Sequence, residues 1–198
     1  MEIGRVVASN DHADYVVQVY GPAEIRTPPT ALDRAFGQFV EIPVDDRDRL
    51  IGVIYTTQLL NPEYGTLGPR LSTPRELPVF TPDYLAETAT LVGVAVVGSA
   101  HQMPGRVDYD QRTPRLAANV DAQVTLLTDD ELRAFHEVDG HLRLAYFPRL
   151  LARPFPALPD LLCGIIERLI ADFPSERRRL EVARQNIRWR AAVQGRQG

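Results

Sequence analysis

The chain has 198 residues, of which 44% are hydrophobic and 24% charged, with a net charge of −4; these are ordinary globular values that permit a packed core and argue against disorder. All 22 basic residues are arginine, which excludes a phosphate loop of the GxxxxGK[ST] type, Schiff-base chemistry and Ser–Lys nucleophile pairs, each of which needs a lysine amine. The single cysteine, Cys163, lies in an apolar run, so no intramolecular disulfide can form, and a buried structural thiol in a reducing, cytoplasmic setting is expected.

In chain order, Ile3–Ser9 and YVVQVY (Tyr15–Tyr20), parted by a turn that begins at Asn10-Asp11, predict an opening β-hairpin. A loop with Gly21, Pro22, Pro28 and Pro29 follows. FGQFVEIPV (Phe36–Val44) and LIGVIYTTQLL (Leu50–Leu60) predict two more strands around the charged turn DDRDR. Gly37 and Gly52 within them suit bends or close packing in a small barrel. Residues 61–89 hold five of the sixteen prolines and little periodicity, which predicts a long insertion. Thr81-Pro82-Asp83 predicts one short helix there, near 82–87. NPEYGTLGPRLS (Asn61–Ser72) is a candidate contact loop, with Asn61, Tyr64 and Arg70 as its candidate residues; its plainer reading is a cover over one barrel end.

TLVGVAVVGS (Thr90–Ser99) is continuously apolar and predicts a fully buried strand. VDAQVTLL (Val120–Leu127) alternates and predicts a sixth. Thr128 with Glu131 three residues later forms a capping box that opens a helix toward His136. Leu142–Ala152 is amphipathic but interrupted by Pro148. Pro159–Asp172 predicts a helix with proline in its first turn. Ser175 is expected to cap a last helix running to about Gln194, with Leu180, Ala183, Ile187 and Ala191 as its apolar stripe and Trp189 off that stripe. The expected fold is therefore mainly β: a small six-stranded closed β-barrel over residues 1–128, with the Pro-rich insertion at 61–89. A helical C-terminal region over 129–198 follows.

Three stretches carry a family resemblance. IGRVVASNDHADYVVQVY (Ile3–Tyr20) resembles the opening hairpin of the HAS barrel, the domain shared by HerA-like DNA translocases and rotary ATP synthases. FGQFVEIPVDDRDRLIGVIYTT (Phe36–Thr57) resembles its central strand–turn–strand unit. RTPRLAANVDAQVTLLTDDELRAF (Arg112–Phe135) resembles its exit into a capped helix. In HerA-like proteins the barrel precedes a RecA-like ATPase domain, packs in a crown on a hexameric ring and serves DNA end processing with a nuclease. The resemblance implies a barrel connected with such an assembly. This sequence departs from the family in having no Walker A motif, so ATP hydrolysis does not carry over, and what remains is an oligomerising or docking role.

No catalytic constellation, cofactor site or metal site is predicted. His136 and His141 frame HEVDGH, but a spacing of five does not place two imidazoles on one helical face, and Asp139-Gly140 breaks the helix. The remaining cluster is basic. From Pro174 onward seven arginines face two glutamates, a net of +5, which leaves −9 for the rest. Arg177, Arg178, Arg179, Arg184, Arg188 and Arg190 on the last helix are candidate contacts for a partner or for nucleic-acid phosphates. Their plainer reading is a solvated helix salt-bridged to an acidic body. The expected function is a non-enzymatic assembly or adaptor module whose partner is itself, as a homo-oligomer, or a separately encoded ATPase. The alternative is nucleic-acid binding by the barrel surface or the arginine-rich helix. The most apolar later segment, Leu158–Ala171, is too short to span a bilayer and holds Asp160, Glu167 and Arg168, so no membrane partner is expected. The N-terminus shows no signal-peptide pattern.

Overall fold

Strand β1 (Glu2–Asp11) turns through His12 and Ala13 into antiparallel β2 (Asp14–Val19). The turn is held by Asp11, whose carboxylate accepts the Ala13 N–H at 2.6 Å. The computed structural model describes residues 1–61, 89–153 and 155–194; Tyr64, Arg70 and the helix expected near 82–87 lie outside the described residues. Strands β3 (Phe39–Pro43) and β4 (Asp48–Leu60) form a second hairpin. Here the acidic turn serves the backbone: one Asp45 oxygen accepts the N–H groups of Arg47 and Asp48, each at 2.8 Å. Strand β5 (Ala89–Met103), β6 (Arg106–Asp110) and β7 (Gln123–Leu126) complete the sheet.

The strands close on themselves in the order β1–β7–β3–β4–β5–β2, every pairing antiparallel. This is the expected six-stranded closed barrel. Closure removes most free edges. β6 was not expected. It pairs with Ser99–Met103 of β5, on the edge whose earlier part, Leu91–Ala95, is taken by β2. Its sequence signal was Pro104-Gly105, a two-residue hairpin turn whose glycine has φ of 78°.

Two hydrophobic cores share the wall formed by β3, β4 and β5. Ile3, Val17, Ile42, Leu50, Ile54 and Val94 fill the barrel lumen. Alternate residues on the same strands, Phe39, Ile51, Val53, Ala95 and Val97, point outward beneath the helices. That double burial is why β5 reads as an unbroken apolar run rather than an alternating one. Gly52 lies where these strands press together, since a Cβ there would sit 2.3 Å from a Val94 methyl.

Helix α1 (Asp129–His136) begins with the predicted box: Thr128 Oγ1 accepts the Glu131 N–H at 3.3 Å, and Glu131 accepts the Thr128 N–H at 2.9 Å. The HEVDGH stretch then forms a miniature hairpin, β8 (Glu137–Val138) and β9 (His141–Leu142), with Asp139 and Gly140 both at positive φ. Such a turn needs a residue pair of the Asp-Gly type. The amphipathic helix expected from Leu142 shrinks to α2 (Phe147–Leu151), because Pro148 starts a helix rather than interrupting one. Helix α3 (Leu158–Asp172) follows, and Leu161, Leu162, Ile165, Ile166 and Leu169 bury it against the barrel wall. Ser175 falls inside a short 3₁₀ turn, Pro174–Glu176, that leads into α4 (Arg177–Gln194). Among the described residues no helix is long and apolar enough to cross a membrane.

Candidate functional site

Helix α4 is anchored by one face. Leu180 is buried, and Ala183 and Ile187 pack on the same core at three- and four-residue spacing. The structure divides the six candidate arginines. Arg184 and Arg188 turn to α3 and share one oxygen of Glu167, at 3.0 and 3.2 Å. Arg179 lies 3.7 Å from Glu176. Arg177, Arg178 and Arg190 are exposed, and no ion pair reaches them among the described residues.

The opposite face of α4 was missed by the sequence reading. Val182 (52% exposed), Trp189 (67%) and Val193 point to solvent, and spacings of seven and four align them on one side. Arg178 lies one turn before Val182, and Arg190 adjoins Trp189. An indole and two valines fringed by guanidinium groups thus form an exposed apolar stripe with a basic border. The signal was present: Trp189 falls off the buried stripe, and Val182 and Val193 share its helical phase.

Asn61 is exposed at the end of β4, so of the candidate loop only this residue is placed, well apart in sequence from the arginine helix. A cleft of about 680 Å³ lies between the β3–β4 turn and residues 110–116. Most of its charged side chains have a partner in place, Asp48 with the His101 ring at 2.8 Å, Arg49 with Glu41 at 3.1 Å and Arg112 with Asp110 at 2.7 Å, while Arg115 on its rim has no ion pair among the described residues.

Two polar clusters fasten the helical region to the barrel. In one, the Gln111 amide donates to the carbonyls of Phe135 (3.0 Å) and Arg143 (2.9 Å) and accepts the Ala145 N–H (2.7 Å). Arg149 donates to the carbonyls of Gln111 and Val97. Beside it, His136 Nδ1 donates to the Leu132 carbonyl at 2.8 Å, which leaves Nε2 to accept the Tyr146 hydroxyl at 2.9 Å. Burial holds the His136 imidazole down to about 4. Both rings are fully buried, which closes this hydroxyl–imidazole pair to solvent. In the other cluster, Tyr55 donates to Asp14 at 3.0 Å, and Arg153 bridges Asp11 and the Ala13 carbonyl. Burial, then the Asp14 charge, pushes the Tyr55 phenol up to about 12. Among the described residues no group of three or more His, Cys, Asp or Glu is arranged to hold a metal.

The polar side chains that converge inside the molecule are therefore spent on its own backbone and on one another, and the exposed apolar and basic side chains of α4 make up the candidate site. No curated protein matches the chain. Residues 1–197, barrel and helices together, match the family described as a domain of unknown function, DUF8166, and the chain belongs to that family.

Proposed function

We propose that this protein is a non-catalytic barrel module that works by assembly, with itself or with a separately encoded ATPase of the HerA type. The observation that carries the reading is the outward face of α4. A helix whose inner face is already packed gains nothing in the isolated chain from Val182, Trp189 and Val193 on its outer face. Exposed aromatic and arginine side chains are the residues that dominate protein–protein contacts. The resemblance of the barrel stretches to the HAS domain supplies the class of partner.

The test is co-expression of the chain with such an ATPase from the same genome, followed by size-exclusion chromatography. Co-elution is expected, and it should weaken at least tenfold in Trp189→Ala and in an Arg178→Glu, Arg190→Glu double variant. Separate elution of the unaltered proteins would sink the ATPase reading. Nucleic-acid binding is the second reading, favoured by one feature: Trp189 between arginines offers a base-stacking platform beside phosphate contacts. It requires affinity for a single-stranded oligonucleotide that falls steeply with added salt. The commitment of Arg184 and Arg188 to Glu167, and the overall charge of −4, weigh against it.

A further inference from the structure

Closing the barrel does not use all of β4. β3 pairs with β4 only over Arg49–Val53, extended by the bonds of Gly37 and Gln38 to Ile54. β4 itself runs on to Leu60, paired with β5 on its other edge as far as Ala89. From Tyr55 to Leu60 the outer edge of β4 therefore receives no strand and no backbone hydrogen bond among the described residues. Thr57–Leu60 are exposed, Leu59 by 76%.

An edge of this kind is normally protected by charge, proline, a bulge that twists it away, or a covering element. From Leu50 through Asn61 the sequence has no charged residue and no proline. The bulge between Ile54 and Thr56 falls at Tyr55, the first residue of the open stretch, and from Thr56 to Leu60 the pairing to β5 is regular. What such an edge accepts is another extended backbone. An uncharged edge offers a foreign acidic or basic segment no charge to recognise, whereas a second copy brings an identical edge without repulsion. Two identical edges related by a two-fold axis pair antiparallel, each donor facing an acceptor, and form a closed, isologous contact.

We infer that two copies of this chain associate through the Tyr55–Leu60 edge of β4, joining their barrels by a continuous antiparallel ladder. The inference rests on the assembly reading and names its self-partner. It uses a surface separate from α4, so either can fail alone.

The first experiment is the solution mass of the full chain by light scattering. A multiple of the 22.2 kDa chain mass is expected, insensitive to salt because the contact carries no charge, and a Thr57→Glu, Leu59→Glu variant should halve it. A monomeric unaltered chain, or a multimer whose mass the variant leaves intact, overturns the inference. Neither outcome touches co-elution with an ATPase. Cross-linking gives an answer independent of that variant's folding, since the one native thiol, Cys163, is buried. Thr57→Cys or Gln58→Cys should yield a covalent dimer with a short bis-maleimide, while Val182→Cys should not. Failure of both edge cysteines to cross-link overturns it.

Discussion

His136 gives the molecule its most specific pH signature. Its imidazole is sealed among Phe39, Phe135 and Tyr146, and burial depresses its proton affinity from 6.5 to about 4, with the nearby Arg168 charge adding slightly. The unfolded chain takes up this proton near pH 6.5, and the folded one does so only near pH 4. The contribution is therefore complete above pH 6.5 and is lost as the pH falls toward 4. Between pH 7.5 and 5.0 this group should remove about 2 kcal/mol of unfolding free energy. Urea titrations of the unaltered chain and His136→Gln check it; equal losses in both would refute the assignment. None of this was legible in HEVDGH. The box at Thr128 and Glu131 was, because both partners lie within one turn. The partners of His136 and Gln111 include groups ten to thirty-four residues away, placed only when the helices meet the barrel.

At the scale of elements, the strands were legible because their apolar pattern is dense. β6 was not, because RVDYD is short and polar and its place depends on β5. β5 also shows where a helix meets the sheet most closely. At Gly98 an added Cβ would lie 2.3 Å from the Asp110 carbonyl oxygen and 2.8 Å from the Phe135 ring, so α1 and β6 sit where they do because that side chain is missing. Gly98→Ala should cost about 2–3 kcal/mol by overpacking. Gly164 in α3 has open space around it, and Gly164→Ala should add about 0.5–1 kcal/mol through helix propensity. Thermal denaturation of the two variants should therefore move in opposite directions. The start of α4 was misplaced at Ser175 because proline, serine and glutamate fit a 3₁₀ turn as well as a cap.

For the whole molecule, the apparent division into barrel and helices is not a division of cores. Phe39, Ile51, Val53 and Val97 belong to barrel strands but are buried by α1, α3 and their connections. A fragment of residues 1–128 would turn that wall to water. We expect it to lack a cooperative thermal transition and to bind a hydrophobic dye, measured against the full chain; a sharp transition would mean that the lumen core suffices alone. The family match over residues 1–197 also treats the two parts as one unit. The molecule's outward chemistry was only half legible for a related reason. Sequence marks the arginines of α4, but only packing decides which of them face Glu167 and which face solvent with Trp189.

Closure of the barrel ties Glu2 to Thr125 and Gln18 to Leu91. During synthesis the first hairpin therefore leaves the ribosome long before its neighbours exist. At roughly 5–20 residues per second, β7 follows β1 by roughly 6–25 seconds. Until then Val17 and Val19 have no lumen to enter and both edges of the hairpin stand open. The nascent chain thus passes through an interval in which β1 and β2 have neither a lumen nor edge partners, and slower translation lengthens that interval.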